Sequence, residues 1–323
     1  MLMAKVADLY YLRDLTQQEI ADRLGLSRPT VSRLLRRSRA AGIVRIEVVP
    51  PDAMHHALER ELEERFGLRE AIVVSGQGDA QATQGALGRA AARFLERNVK
   101  RGSPVGISWG TTLRAVVDHL RRRPLRPTVV PLVGGVGQIS PGIHANDLAH
   151  AIADIFEGRV HLLHAPAIVA SRGVRQALLR DSGIAKVLAL ARQVEVALVG
   201  IGGLVPSSTL VQSGYFSASD LAALRRRGAV GDICTRPFAL DGSSVDGDLD
   251  HRILAIELRH LRRIPTVIAV AGGAVKAEAI SGALAGRLVD VLVTDHLAAR
   301  EILKPQSSRL ATRAARSTQG MGR

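Results

Sequence analysis

One cysteine, Cys234, stands in 323 residues. It can close no internal disulfide and supply no cysteine-rich zinc site, which excludes a stapled secreted scaffold and a zinc finger. Aromatic residues make up only 3% of the chain, too few for the stacking rings that single-strand and RNA-binding surfaces use. No apolar run approaches the roughly 20 residues that a bilayer core requires. Val194 to Leu204 is interrupted by Glu195 and several glycines. The N-terminus lacks the basic start, apolar stretch and small-residue cleavage site of a secretory signal. The expected location is therefore cytoplasmic, with no membrane partner.

Acidic residues are the scarcer charge: 44 Lys and Arg face 30 Asp and Glu, a net +14 that favours polyanionic partners. The excess gathers at the ends. Arg28 to Arg45 holds six arginines and no acid, and Lys304 to Arg323 holds five basic residues and no acid. With so few aromatics, duplex DNA is the expected polyanion.

Val6, Leu9, Tyr10 and Leu12 recur at helical spacing, and Thr16-Gln17-Gln18-Glu19 then places a capping hydroxyl three residues before a Glu. Ile20, Ala21 and Leu24 continue a second helix to Gly25, whose tolerance of positive φ suits a tight turn. Ser27 is a good N-cap for a third helix from Arg28 to about Ala41, with Pro29 in its first turn. Val31, Leu34, Leu35 and Ser38 share one face of that helix. Pro29, Arg33, Arg36 and Ala40 lie opposite, flanked by Thr30, Ser32 and Arg37. Two short helices joined by a glycine turn, the second carrying Arg, Thr and Ser on its free face, predict a helix-turn-helix reading the major groove. Arg28, Pro29, Thr30, Ser32, Arg33, Arg36 and Arg37 are the candidate DNA contacts. Ile43 to Val49 alternates like a wing or closing strand and ends at Pro50-Pro51, so residues 1–51 are expected to form the first domain.

Residues 52–303 read as one α/β body. After a helix from Asp52 to Phe66, short apolar strands alternate with helices, with strands expected at Ala71–Ser75, Val105–Ile107, Thr128–Val133, Val160–Leu163, Val194–Gly200, Val230–Cys234, Thr266–Ala271 and Val289–Thr294. Such alternation predicts a mostly parallel, doubly wound sheet with helices on both faces. Residues 304–323, rich in Arg, Ser, Thr and Ala, read as a flexible basic tail. Three arginine runs, at Arg121–Arg123, Arg225–Arg227 and Arg262–Arg263, fall at expected helix ends. Cations there complement the helix dipole, so helix termination is their expected role.

Ligands of open parallel sheets bind beyond the strands' carboxyl ends. Four glycine loops follow strands: Gly106 to Thr112, Gly134 to Gly137, Gly200 to Gly203, and Gly272-Gly273 to Lys276. Glycines alone would only make tight turns. The pairing of Gly110-Thr111-Thr112 with Gly272-Gly273 and Lys276 adds hydroxyls and a charge to helix-start N–H groups, the donor set a phosphate monoester needs. His144 and Asn146 at a helix start, and Asp232 at an expected strand end, are polar candidates for the same mouth. Gly134 to Gly137 lacks the third glycine of a dinucleotide fingerprint, and no nucleotide phosphate loop occurs, so no cofactor is expected. No histidine spacing repeats as a metal site would. Gly106-Ile107-Ser108-Trp109-Gly110 matches a nucleophile elbow, with Asp295-His296 or Asp250-His251 as conceivable partners. That hydrolase reading is weakened because each acid stands directly beside its histidine, no His-Gly-Gly-Gly segment precedes the serine to build an oxyanion hole, and a hydrolase has no need of the front domain.

From Leu15 to Leu35, and through Gly106 to Thr112, Pro131 to Gly135, Asn146, Gly231-Asp232 and Gly272 to Lys276, the chain resembles the SorC type of bacterial sugar-responsive transcriptional regulators. The match covers roughly residues 5 to 303. The resemblance implies a body similar to sugar-phosphate isomerase folds that binds a phosphorylated sugar or polyol without turnover, and homotetramers or homodimers on operator DNA. It implies Gly110, Thr111, Thr112 and Lys276 around the phosphate, and Gly134, Gly135, His144, Asn146 and Asp232 along the effector. One departure is that Leu132-Val133 is apolar where relatives binding a second phosphate can place a basic residue. Two rivals remain at this stage. One is an active sugar-phosphate isomerase or deaminase with an appended DNA-binding domain, using Asp232 as base. The other is an architectural DNA-binding protein with an inert body.

Overall fold

A computed structural model describes residues 2–44, 55–76, 79–135, 137, 142–205, 208–214, 216–245 and 247–304. The chain divides into two compact units, Met1–Asp52 and Ala53–Arg323. The expected strand from Ile43 to Val49 lies, beyond Val44, outside the described residues, as does the tail after Lys304.

The first unit is three helices, α1 (Leu2–Tyr11), α2 (Gln17–Leu24) and α3 (Arg28–Ala40). Local chemistry sets their ends. The Thr16 hydroxyl accepts from Glu19 N–H while the Glu19 carboxylate accepts from Thr16 N–H, a complete capping box. Gly25 closes α2 in the left-handed region at φ 64°, and its N–H donates to Ala21 O. Ser27 caps α3 through Thr30 N–H, with Pro29 in the first turn. Val6, Leu9, Ile20, Ala21, Val31 and Leu35 make one shared core. Burial of these six side chains, rather than helix propensity, is what holds so short a set of helices together.

The second unit runs α4 (His56–Phe66), β1 (Glu70–Val74), α5 (Ala80–Asn98), β2 (Pro104–Ile107), α6 (Thr111–Val117), β3 (Thr128–Pro131), α7 (Ala145–Ile155), β4 (Arg159–Val160), α8 (Arg172–Arg180) and α9 (Ser182–Ala191). It continues with β5 (Val196–Gly200), β6 (Gly202–Gly203), α10 (Thr209–Gln212), α11 (Ala218–Arg226), β7 (Ala229–Ile233), β8 (Arg236–Ala239), α12 (Leu258–Leu261), β9 (Thr266–Val270), α13 (Ala277–Ala285), β10 (Val291–Asp295) and α14 (His296–Leu303). Seven strands pair in parallel in the order β1-β10-β9-β5-β2-β3-β4. Alternate residues of each strand feed two cores. Val105, Ile107, Leu198 and Ile268 meet Phe94, Leu113, Leu148 and Ile152 on one face. Val130, Leu132, Val199, Ala269 and Leu292 meet Leu62, Leu188, Ile280 and Ile302 on the other. The chain is thus an N-terminal helix-turn-helix followed by a parallel α/β domain with helices on both faces.

The expected parallel strand Val230–Cys234 departs from this plan. It is β7, the centre of a separate antiparallel sheet β6-β7-β8. The reason is the turn that follows it. Ile233 pairs with Arg236 across a two-residue loop, and a parallel crossover needs far more chain than that. Both loop residues, Cys234 (φ 53°) and Thr235 (φ 67°), sit in the left-handed region, the backbone of a tight hairpin turn made here without glycine. The helix expected to reach Arg121 ends at Val117, with Asp118 as its C-cap.

Candidate functional site

On α3, Arg28, Pro29, Arg33, Arg36 and Arg37 are exposed, and Thr30 and Ser32 are half-buried. These four arginine side chains make no ion pair among the described residues. Arg39 differs: its Nε donates to the Tyr11 hydroxyl at 2.7 Å and its guanidinium lies 5.8 Å from that ring, which commits it to holding α1 against α3. The free face therefore offers cations that only solvent or an incoming anion can satisfy.

In the second unit a cavity of about 250 Å³ opens where β2, β5 and β9 end. It brings together Gly110, Thr111 and Thr112 from the start of α6, Gly200 to Gly203 after β5, Asp232 of β7, Cys234 of the hairpin turn, and Lys276 ahead of α13. Gly110 precedes α6 at φ 127° without a side-chain cap, and its own N–H donates to Ile143 O at 3.0 Å. The N–H groups of Thr111, Thr112 and Leu113 in the first turn have no carbonyl within their helix to reach. On the opposite wall, Asp295 pins the Gly272-Gly273 loop. One carboxylate oxygen accepts from Gly273 N–H, the other from Leu297 and Ala298 N–H at the start of α14. Held this way, the loop delivers Lys276 into the cavity.

Asp232 is buried, and its Oδ2 accepts from Thr235 N–H at 3.1 Å. Its Oδ1 is buried with no partner among the described residues. Burial pushes its carboxyl up to about 6, against the opposing pull of the Thr235 hydrogen bond and the Lys276 charge. Lys276 is half-buried, and desolvation holds its ammonium below the usual lysine range, with Asp232 acting the other way. The two do not close to an ion pair. Cys234 is pushed up to about 12 by burial, so it is a neutral thiol beside the Ser108 hydroxyl and not a nucleophile. The buried Ser208 hydroxyl also lacks a partner among the described residues. The cavity thus presents unsatisfied N–H groups, a desolvated ammonium near a buried carboxylate, and a hydroxyl without a partner among the described residues.

Gly134, Gly135, His144 and Asn146 do not line this cavity. Any side chain at Gly134 would bring a Cβ within 2.5 Å of Ala165 O, and Gly135 exchanges backbone hydrogen bonds with Ala165 and Ala167. The Asn146 amide bonds both the carbonyl and the N–H of Leu163. His144 is the N-cap residue of α7, directly after the Ile143 that holds Gly110. The hydrolase partners are engaged elsewhere. Asp295 serves the backbone as described, His296 accepts from Gly76 N–H, and Asp250 pairs with the buried Arg236. Sequence reasoning did not single out Gly202, Ser208 and Cys234 as site residues. A Cβ at Gly202 would lie within 2 Å of Asp232 Oδ1, so that glycine exists to admit the carboxylate. Its place in the Gly200-Ile201-Gly202-Gly203 loop was the available signal, whereas Ser208 has none.

Residues 53–304 match the family described as "Putative sugar-binding domain", and residues 4–54 match the Crp-like helix-turn-helix domain. The chain is 34% identical to the deoxyribonucleoside regulator of Bacillus subtilis (strain 168), over 94% of this chain and 97% of that one. It is also 34% identical to the sorbitol operon regulator of Klebsiella pneumoniae, over 94% and 98%. The crystal structure of the full-length sorbitol operon regulator SorC from that organism superposes with a TM-score of 0.75 at 33% identity, covering 94% of this chain and 98% of that chain.

Proposed function

The chain belongs to the SorC-type family of sugar-binding transcriptional regulators, and from that premise we propose that its cavity binds a singly phosphorylated sugar or polyol that sets the affinity of α3 for operator DNA. The observation that carries the ligand class is the convergence of the Thr111-Thr112 helix start, Lys276 and the buried Asp232 on one cavity. The phosphate monoester takes the N–H groups of the first turn of α6 and the Thr111 and Thr112 hydroxyls. Its charge also relieves the desolvation that burdens Lys276. Sugar hydroxyls supply to Asp232 Oδ1 the donors it lacks within the protein. Lys276 is the one Lys or Arg side chain among the described lining residues, which suits a single phosphate. Arg28, Arg33, Arg36 and Arg37, with Pro29, Thr30 and Ser32, face the duplex. The working form is a homo-oligomer, tetramer or dimer, on paired half-sites, and the bound sugar leaves unchanged.

A thermal-shift series tests the ligand class. Pentose, hexose and hexitol phosphates are compared with the same compounds without phosphate. A ligand at 100 times its dissociation constant adds about 2.7 kcal/mol. Lys276→Ala is expected to remove the shift given by the phosphorylated compound. An equal shift from the unphosphorylated sugar, unaffected by that substitution, would replace the phosphate with a plain polyol.

One observation favours a second reading. A buried carboxylate held near 6 beside a lysine is poised as a general base, as an isomerase requires. Steady turnover of pentose or hexose phosphates by the purified protein, lost in Asp232→Asn, would establish it.

A further inference from the structure

The three arginine runs do not share one role. Arg225 and Arg226 occupy the last turn of α11, and Arg262 donates from Nε to Gly286 O and from Nη2 to Gly242 O. Both runs serve helix ends or loose carbonyls, as expected of them. Arg121, Arg122 and Arg123 do not. They lie past Asp118, the C-cap of α6, in the loop to β3; Arg123 N–H meets Ile155 O at the C-terminal end of α7, but through the backbone, and the three side chains reach no helix carbonyl among the described residues.

That loop sits at the end of the sheet opposite the cavity, and two others are fastened to it. Pro104, Thr128 and Arg159, the first residues of β2, β3 and β4, stand side by side in register. Gly102 N–H donates to Leu125 O at 2.8 Å, Arg123 N–H to Ile155 O at 3.2 Å, Arg126 N–H to Phe156 O at 2.8 Å, and Arg159 N–H to Pro127 O at 2.8 Å. The joined loops carry Lys100, Arg101, Arg121, Arg122, Arg123, Arg126 and Arg159, all exposed. None of these side chains makes an ion pair or hydrogen bond among the described residues. Of the acids nearby, Asp118 is paired with Arg114 at 2.7 Å, while Glu96, which accepts from Arg121 N–H, the exposed Glu157 and Glu195, which accepts from the Ser103 hydroxyl, keep their charge; they are outnumbered by the cations.

We propose that this basic end of the effector domain is a second surface for duplex DNA, engaging phosphates of the duplex. Seven unpaired cations on one backbone-braced edge are complementary to a phosphate backbone, and the absence of aromatics among them suits a duplex rather than a stacked single strand. Two copies meeting through this same edge would bring like charges together, which disfavours a symmetric contact here. The surface also gains from tethering. Once the helix-turn-helix is on DNA, contacts too weak to hold alone become intramolecular. The proposal rests on the helix-turn-helix binding DNA, so its test keeps the two readings apart.

The full chain is titrated with a fluorescent 60-bp duplex of mixed sequence across 50 to 200 mM salt. Three forms are compared: wild type, Arg33→Ala with Arg36→Ala, and Arg121→Gln, Arg122→Gln, Arg123→Gln and Arg126→Gln combined. Each lost phosphate contact lowers the slope of log affinity against log salt by about 0.9. The loop variant is expected to lose about two to four units of slope and about tenfold or more in affinity at 100 mM, with its melting temperature unchanged. A failed helix reading would show instead as an unaffected Arg33→Ala, Arg36→Ala protein, whatever the loop variant does. As a second measurement, Arg122→Cys carries a photo-crosslinker, with the unsubstituted protein, whose one thiol is the buried Cys234, as the labelling blank. It should give more DNA adduct than Gln176→Cys, an exposed control on α8. An unchanged slope with adduct at the control level overturns the proposal. So does a loop variant that binds DNA normally but no longer self-associates, which would assign the surface to a second copy.

Discussion

Burial raises Asp232 to about 6 from an ordinary 3.8, so the folded chain binds that proton more tightly than the unfolded one does. The sign follows from linkage. The contribution of this one group to stability is fully present below about pH 4, is lost as the pH rises through 6, and its loss costs on the order of 3 kcal/mol above that. Asp232→Asn keeps an acceptor for Thr235 N–H and removes the charge. At pH 8 the ligand-free variant is expected to melt above wild type, and the gap should close towards pH 4. A difference that does not vary with pH would mean that Asp232 is not the titrating group. On the proposed function, the destabilising residue has a use: Oδ1 has no partner within the described residues, and the hydroxyl donors of a bound polyol would supply one. Gly202 completes the arrangement by leaving the room that the carboxylate occupies.

Among the elements, those whose ends depend on local chemistry were legible in the sequence. Thr16-Gln17-Gln18-Glu19, Gly25 and Ser27 mark the boundaries of α2 and α3 to within a residue, because a capping bond spans at most four positions. Thr16→Ala removes both halves of that box and is expected to cost about 1 kcal/mol, seen as faster amide exchange in α2 and a lower melting temperature of the first unit. Unchanged exchange would show that water replaces the cap without loss. The Gly110-Thr111-Thr112 wall of the cavity was legible for a similar reason: glycine followed by hydroxyl residues at a helix start is a local pattern. What sequence could not supply is which distant backbone a polar side chain meets. Asn146 looked like a ligand-facing group, yet Leu163 takes its amide. Arg121–Arg123 resembled a helix end, but α6 stops short of them. The strand expected at Val230–Cys234 had the right composition, and only the left-handed pair Cys234-Thr235, neither of them glycine, turned it into a separate hairpin.

For the whole molecule, coupling between cavity and recognition helix is constrained by thermodynamics regardless of the path it takes. If a sugar phosphate changes operator affinity by some factor, operator DNA must change sugar-phosphate affinity by the same factor. Coupling free energies are typically about 1 to 3 kcal/mol, or roughly 5- to 150-fold. Titrating the sugar phosphate found by thermal shift into the free protein and into the DNA-bound protein is expected to give dissociation constants whose ratio equals the ligand's effect on DNA binding. Asp232→Asn should move ligand affinity in both states together and leave the ratio standing. The basic loops at the far end of the sheet predict something further. Their phosphate contacts act on the effector domain itself, so replacing them should alter the ratio as well as the affinity. Should the ratio hold while DNA affinity falls, those contacts would anchor the body to DNA equally in both ligand states, and the sugar would act through the front helices alone.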